Sequence, residues 1–176
     1  MIKLKTFGSF TVGNDLTSVQ EGAWRSEKLE KLFVYLAMNR NRGVCIEDIS
    51  EAIWQVEEET DNPVGALKNL AYRLRKALRD ASFDEECIVS VRGGLYKWND
   101  DVEVSIDVEE FDRYINEAEM AFCRSKETAI ESYEKAIALY HGDFLPLRTD
   151  THWFMTVSYT HHRAHETLAN LVCRLL

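Results

Sequence analysis

Residues 62–79, NPVGALKNLAYRLRKALR, carry the strongest secondary-structure signal in this 176-residue chain. Asn62 is a residue type that caps helix N-termini well, and Pro63 is favoured at the first helical position, so a helix is predicted from Pro63 to about Arg79. At about 100° per residue, one side of this helix carries only apolar residues, which are Leu67, Leu70, Ala71, Leu74 and Leu78. The opposite side carries Lys68, Asn69, Tyr72, Lys76 and Arg79. The pattern predicts that one face packs into a core and the other faces outward.

The outward side of this helix is strongly basic, although the whole chain has a net charge of −9. The helix contains no acidic residue and five basic ones, which are Lys68, Arg73, Arg75, Lys76 and Arg79. Cations contact DNA phosphates, and short polar side chains near the start of a helix contact base edges in the major groove. Asn69 is suited to pair with adenine, with Lys68 and Tyr72 beside it. Lys76 and Arg79 lie where a docked helix meets the DNA backbone. A solvated basic face on an ordinary core helix is the alternative interpretation.

A β-hairpin is predicted directly after this helix. The runs Ile88–Val91 and Leu95–Trp98 are rich in residues that favour strands, and they flank Arg92-Gly93-Gly94. Two adjacent glycines allow a tight turn, so Arg92 would lie at the tip of the hairpin. From there its side chain would reach an adjacent minor groove. A hairpin over residues 88–98 at this place in the chain is typical of a DNA-binding wing.

Two further helices and a small sheet are predicted before residue 62. Ser26 is suited to cap a first helix, whose apolar residues at helical spacing are Leu29, Leu32, Phe33 and Leu36. Residues 39–43 end it, and a short second helix follows over 47–54. Period-2 spacing near the N-terminus predicts a small sheet, from Ile2, Leu4, Phe10 and Val12. The order of sheet, three helices and hairpin predicts an α+β winged helix-turn-helix.

After Asp100 the strand signals stop, and the rest of the chain is predicted to be all-α. Three amphipathic helices are expected, over 108–124, 126–140 and 153–176, and Gly142 and Pro146 separate the last two. The pairing of such helices suggests a tetratricopeptide-like arrangement, although no 34-residue repeat is visible.

The distribution of charge also indicates two domains. Residues 1–100 contain 14 basic and 16 acidic residues, a net −2, whereas residues 101–176 contain 7 and 14, a net −7. The predicted domains are therefore a winged helix-turn-helix over 1–100 and a helical domain over 101–176, with the linker at 99–104. An acidic half repels phosphate, so it is expected to bind protein.

An ordered set of short motifs gives the chain a family resemblance. The set is Trp24-Arg25, the helix with Leu29 and Leu32, Ile46-Glu47-Asp48-Ile49 leading to Trp54, Asn62-Pro63 with Leu67, Leu74-Arg75 and Leu78, and Val91-Arg92-Gly93-Gly94-Leu95-Tyr96. It resembles OmpR/PhoB-type DNA-binding domains, and most closely those of the SARP-type bacterial regulators. In that family a bacterial transcriptional activator domain, or BTAD, follows the wing. Its opening half resembles Ile106-Asp107-Val108 with Phe111, then the run from Ala136 to Gly142-Asp143-Phe144-Leu145, and Trp153. The chain ends inside an apparent helix, so this domain is expected to be incomplete.

The resemblance implies a bacterial regulator that binds promoter DNA, often at direct repeats, and activates transcription. No stretch approaches the roughly 18 uninterrupted apolar residues of a membrane helix, and the start of the sequence does not form a signal-peptide block, so a cytoplasmic protein is expected. The residues predicted to contact DNA are Arg25, Lys68, Asn69, Tyr72, Arg75, Lys76, Arg79 and Arg92. A homodimer on DNA and contacts with RNA polymerase are also expected. The acidic run at 57–59 is a departure from the family pattern, because it would repel the DNA backbone. It is therefore expected to lie away from phosphates or against polymerase. A protein-interaction scaffold that does not bind DNA is the alternative.

Other kinds of site have little support in the sequence. Phosphate-binding glycine loops and the G-x-S-x-G motif of hydrolases are absent, so neither an enzyme nor a cofactor is expected. His161 and His165 have the i, i+4 spacing of a zinc-binding pair, but no third ligand is evident and a histidine-rich surface is the favoured interpretation. Four cysteines lie far apart in the chain and are expected to be reduced and buried, at positions 45, 87, 123 and 173.

Overall fold

In a computed structural model of the chain, the described residues are 1–14, 17–20, 24, 26–54, 62–83, 87–91 and 94–142. Their internal contacts divide them into two compact units. Unit 1 contains residues 1–3 and 11–104, and unit 2 contains residues 4–10 and 105 onward. The predicted domain boundary at residue 100 stays a prediction.

The described residues form the small sheet, three helices and hairpin that the sequence predicts. The helices are α1 (Glu27–Met38), α2 (Ile46–Ile53) and α3 (Pro63–Asp80). The strands are β1 (Ile2–Lys5), β2 (Thr11–Gly13), β3 (Ser18–Gln20), β4 (Ile88–Val91), β5 (Leu95–Trp98) and β6 (Val104–Ile106), of which β1 and β6 have residues in both units. One sheet has the strand order β3-β2-β1-β6, and β4 pairs with β5 in a second sheet. The winged-helix prediction for the N-terminal part is therefore confirmed.

Two strands lie where the sequence shows no strand signal. Strand β6 begins at Val104, inside the predicted linker, so the prediction that strands end at Asp100 is wrong. Each of β3 and β6 has only three residues, too few for a period-2 pattern to be visible. Such short segments become strands because they pair with a neighbouring strand in the folded chain.

The helix starts differ in how they are capped. The Ser26 backbone is extended at the N-cap of α1, but its side chain makes no capping hydrogen bond, contrary to the prediction. Helix α2 starts one residue earlier than predicted, and its cap is the Cys45 thiol, which accepts a hydrogen bond from the Asp48 N–H at 3.4 Å. The starts of α1 and α2 therefore depend on packing more than on a strong cap, in contrast to α3.

The core of unit 1 lies among the three helices and strand β5. Helix α1 contacts α2, α3 and β5. Phe33 of α1 is fully buried, and its ring meets those of Trp24 and Trp98 edge to face, with centroids 5.3 and 5.4 Å apart. The predicted apolar stripe of α3 is buried against this core. Burying these aromatic and aliphatic side chains orients α3 so that its other side faces outward.

Unit 2 contains a pair of helices, α4 (Asp107–Phe122) and α5 (Lys126–Leu139), close to the predicted ranges. The helices pack through small residues and one aromatic ring, in a cluster formed by Ala118, Ala129 and Tyr133 with Ile115 and Ala121 beside it. Because residues 4–10 also belong to this unit, its described part is not purely helical. The tetratricopeptide-like arrangement stays a prediction, since the third predicted helix, 153–176, lies outside the described residues.

Asp107 attaches the N-terminal segment to the start of α4. Its buried carboxylate accepts hydrogen bonds from the Thr6 N–H at 2.8 Å, the Thr6 hydroxyl, the Phe7 N–H at 3.1 Å and the Val108 N–H at 2.9 Å. The Phe7 ring then lies edge to face with those of Phe111 and Tyr140, at centroid distances of 5.4 and 5.3 Å. A carboxylate that is satisfied in this way fixes the segment firmly, because removing it would leave several buried donors without an acceptor.

The cysteines only partly follow the prediction of burial. Cys87 is buried, Cys45 is half-buried and Cys123 is exposed, and all three are free thiols. Cys123 follows the last residue of α4, where the helix end leaves it outside the packed face. Cys173 and the histidine pair at 161 and 165 lie outside the described residues. Within the described ranges, no helix combines the length and the apolar character needed to cross a membrane.

Candidate nucleic-acid interface

The outward face of α3 is a continuous polar and basic surface. Its buried residues are Leu67, Leu70, Ala71, Leu74 and Leu78, all on the predicted stripe. The exposed residues on the opposite side are Lys68, Asn69, Tyr72, Arg73, Lys76 and Arg79. Asn69, Tyr72 and Lys76 form a central row within about 60° of each other, with Lys68 and Arg79 on one flank and Arg73 on the other. Polar and aromatic groups are thus lined by cations on both sides.

The start of α3 is fixed by the predicted cap. The Asn62 side-chain oxygen accepts a hydrogen bond from the Gly65 N–H at 2.9 Å, and Pro63 is the first helical residue. A Cβ at position 65 would lie 2.8 Å from Asn62 Nδ2, so glycine lets the Asn62 amide lie close to the first turn without shifting. The cap and the proline together give the first turn of α3 a definite direction.

The end of α3 is equally well defined. The Phe83 N–H donates to the Leu78 carbonyl at 3.0 Å, and the Ser82 N–H donates to the Arg79 carbonyl at 2.9 Å, which is the pattern of a Schellman motif. Ser82 takes the left-handed conformation that this motif requires, with φ of +62°. The buried side chains of Phe83 and Leu78 supply the apolar contact that accompanies the motif. The helix therefore presents a face of fixed length.

Arg75 links α3 to the hairpin. Its Nε donates a hydrogen bond to the Ile88 carbonyl, the first residue of β4, at 3.0 Å, and the side chain is half-buried. This contact was not evident from the sequence, where Arg75 is one of five similar basic residues. Its position at the edge of the buried stripe, next to Leu74 and Leu78, is the signal that distinguishes it. Arg75 therefore holds the hairpin beside the exposed face of α3.

The hairpin is a two-stranded sheet, and one residue from outside it pairs with β5. Strands β4 and β5 are antiparallel, with Ile88 opposite Trp98 and Val91 opposite Leu95. Val44 forms a single antiparallel bridge with Tyr96. Its N–H donates to the Tyr96 carbonyl at 2.8 Å, and its carbonyl accepts from the Tyr96 N–H at 2.9 Å. This added pairing was not predicted, since a single residue leaves no pattern in a sequence. It stiffens the base of the hairpin.

The eight predicted contact residues have different outcomes. The exposed face of α3 contains five of them, which are Lys68, Asn69, Tyr72, Lys76 and Arg79. Arg75 lies at the edge of that face and is bonded to the hairpin. Arg25 and Arg92 lie outside the described residues. Arg73 is exposed on the same helix but was not among the predicted contacts.

This arrangement is suited to bind a nucleic acid, which has phosphate groups and base edges that form hydrogen bonds. Several exposed cations on a rigid helix bind phosphates without sequence preference, whereas an amide and a phenol between them can form hydrogen bonds with base edges. Within the described part of α3, the first acid is Asp80, at the last helical position. The exposed groups of this face are therefore suited to bind a negatively charged ligand.

Comparison with known families agrees with this description of unit 1. Residues 21–98 match the family model described as "Transcriptional regulatory protein, C terminal". The matched range contains all three helices of unit 1 and both strands of the hairpin. The winged-helix part of the chain is therefore similar to this family of transcriptional regulatory domains.

A solved structure extends the similarity in fold. Mycobacterium tuberculosis EmbR, in complex with a low affinity phosphopeptide, is similar with a TM-score of 0.75 and 20% sequence identity. The match covers 96% of this chain and 43% of the EmbR chain, so this chain spans less than half the length of that protein. At this identity the likeness shows the fold alone. No curated protein sequence matches the chain significantly.

Proposed function

We propose that this chain is a sequence-specific DNA-binding transcription regulator of the SARP type. The observation that carries the proposal is the outward face of α3, which is exposed and basic in a chain of net charge −9, on a helix that is capped at both ends. The match of residues 21–98 to a transcriptional regulatory family supports it independently. In this proposal α3 enters the major groove of double-stranded DNA.

The residues of α3 have separate roles in this proposal. Lys68, Lys76 and Arg79 neutralise phosphates, because exposed cations on the flanks and at the far end of a docked helix meet the backbone. Asn69 and Tyr72 lie in the row between them and contact base edges. Phosphate contacts set the position and affinity, and base contacts set the sequence preference.

The hairpin 88–98 lies beside the minor groove in this proposal. Arg75 supports this role, since its bond to Ile88 fixes the hairpin relative to α3. Arg92, at the predicted tip, contacts the minor groove, where narrow A·T-rich stretches have the most negative potential. Arg25 is proposed as an additional phosphate contact.

The helical second half is proposed to act as a BTAD that binds protein. The supporting observation is its charge, a net −7 over residues 101–176, which disfavours direct contact with DNA. We propose that it pairs two chains on direct repeats of a promoter and contacts RNA polymerase, so that the outcome is activation. The protein would act in the bacterial cytoplasm.

Binding to random duplex DNA at several salt concentrations tests the proposal. Affinity should fall steeply with salt, because each phosphate contact releases counterions. Lys76→Ala should weaken binding, whereas Lys126→Ala, which removes an exposed lysine from α5, should not. Binding sites selected from a random pool should then share a common motif. If the chain does not bind duplex DNA at low salt, the proposal is wrong and a protein-interaction scaffold becomes the better interpretation.

A further inference from the structure

The cations exposed on α3 lie on opposite sides of its central row. At about 100° per residue, Arg73 lies about 40° from Asn69 in one direction around the helix axis. Lys68 and Arg79 lie about 100° and about 80° from Asn69 in the other direction. Arg73 is therefore about 140° from Lys68 and about 120° from Arg79. Within Pro63–Asp80, Arg73 is the exposed cation on its side of the row.

Arg73 is not used to hold the fold together. Arg75, two residues further, donates a hydrogen bond to the Ile88 carbonyl at 3.0 Å. Arg73, in contrast, forms no ion pair or side-chain hydrogen bond with another residue of the described part of the chain. The acid on α3 is Asp80, seven residues after Arg73, which is about 10 Å along the axis. The positive charge of Arg73 is therefore available to a ligand.

The width of the major groove gives the two sides of α3 different partners. An α-helix with its side chains is about 10–12 Å across, and the major groove of B-DNA is about 12 Å wide. A helix that lies in the groove therefore fills it from one wall to the other. Each wall is the phosphate backbone of one strand. Cations that are about 120–140° apart around the helix consequently face different strands.

We propose that α3 bridges the two strands of the duplex, with Arg73 bound to a phosphate of one strand and Lys68 and Arg79 bound to phosphates of the other. This inference rests on the proposed function of α3. It adds Arg73 to the DNA-contacting residues and assigns each side of the helix to one strand. Attraction from both sides holds Asn69 and Tyr72 over the base edges, because cations on a single side would draw the helix towards one backbone.

Replacing single phosphates by uncharged methylphosphonates tests this assignment strand by strand. A duplex with one selected half-site is substituted at one phosphate at a time, on either strand, and its affinity for the full chain is measured by fluorescence anisotropy. The wild-type chain should lose affinity several-fold at positions on both strands, because each substitution removes one contact that releases counterions. Arg73→Ala should bind the unmodified duplex several-fold more weakly, with a salt slope lower by about one, and should be insensitive to substitution at one position. That position should lie on the strand opposite to those that Lys68→Ala and Arg79→Ala make insensitive.

Two further variants separate charge from shape and from general effects. Arg73→Lys keeps the charge, so it should keep the sensitivity at the Arg73 position. Lys126→Ala, which removes an exposed lysine from α5, is the matched control and should change neither the affinity nor any methylphosphonate effect.

The proposal is overturned if Arg73→Ala and Lys68→Ala become insensitive on the same strand, or if Arg73→Ala responds like wild type at every position. A selected motif that changes with Arg73→Ala would assign Arg73 to a base and would also overturn it. A wild-type chain that binds no duplex DNA would refute the proposed function itself. DNA binding with both sides of the helix on one strand refutes only this inference.

Discussion

Arg75 and Lys76 are neighbours in the sequence, yet their side chains have different surroundings. Arg75 is half-buried and donates to the Ile88 carbonyl, whereas Lys76 is exposed on the outward face of α3. A 100° step along the helix is enough to separate a structural cation from one that is available to a ligand. The residues of the basic run therefore have to be tested one at a time.

Lys76→Ala should weaken binding to all DNA sequences by a similar factor. A phosphate contact carries no sequence information, so the loss should not depend on the binding site. The slope of log affinity against log salt should fall by about one. Titrations on selected and random duplexes at three salt concentrations measure both effects. A loss confined to one sequence would contradict the assigned role.

Asn69→Ala should act on sequence preference. Loss of a bidentate contact to a base costs about 1–3 kcal/mol on the preferred site and relaxes the preference at one base pair. Repeating the selection of binding sites with the variant measures this directly. If the variant loses equally on random DNA, Asn69 does not contact a base.

Arg75→Ala should lower the stability of unit 1. The Ile88 carbonyl would lose a charged donor, which costs about 1–2 kcal/mol for a half-buried group. Urea unfolding measures the change, and Arg73→Ala is the control because that exposed side chain should alter stability by less than about 0.5 kcal/mol. Equal effects of the two substitutions would mean that the bond to the hairpin is not stabilising.

At the scale of elements, the sequence predicts those helices and strands that are determined by residues within the element itself. Helix α3 follows from a cap, a proline and a five-residue apolar stripe, and its observed end differs from the predicted one by one residue. Strands β3 and β6 have no such local signal, because pairing within the sheet determines them. The candidate site follows the same division. Its exposed residues follow from helical periodicity, whereas the link from Arg75 to the hairpin depends on a contact that only the folded chain forms.

Ser82→Gly should stabilise the end of α3. Ser82 has a φ of +62°, a left-handed conformation that costs a residue with a Cβ about 1 kcal/mol and glycine almost nothing. The free energy of unfolding should therefore rise, but only by about 0.5–1 kcal/mol. The gain is limited because glycine also gives the unfolded chain more conformational freedom, which favours unfolding. Ser82→Ala is the matched control, because it removes the hydroxyl and keeps the Cβ. If both variants gain equally, the backbone conformation is not the cause.

At the scale of the whole molecule, the proposed function assigns DNA binding to the basic face of α3 and the pairing of chains to the acidic second half. One helix and one wing make few DNA contacts, so a single chain is expected to bind weakly. Pairing through the acidic half would raise the effective concentration of the second winged domain without new DNA contacts. The charge asymmetry of the sequence, −2 against −7, fits this division.

The full chain should therefore bind two direct repeats far more tightly than one. Tethering of a second site is expected to raise affinity by about 10²–10⁴. Inserting about five base pairs, half a helical turn, between the repeats should remove most of this gain, because the second site then faces the opposite side of the duplex. Anisotropy titrations on the three duplexes measure the effect. Independent binding to each repeat would show that the acidic half does not pair the chains.

The attachment of the N-terminal segment to Asp107 has a consequence for how the chain is made. Thr6 and Asp107 are separated by 101 residues, so the segment near the N-terminus is synthesised long before its hydrogen-bonding partner exists. A contact between such distant residues forms slowly, because the intervening loop has to close first. Until residue 107 has left the ribosome, the N–H groups of Thr6 and Phe7 cannot form their hydrogen bonds with the Asp107 carboxylate. Chaperones that bind unfolded segments would therefore meet residues 4–10 during translation, before the final contacts of these residues form.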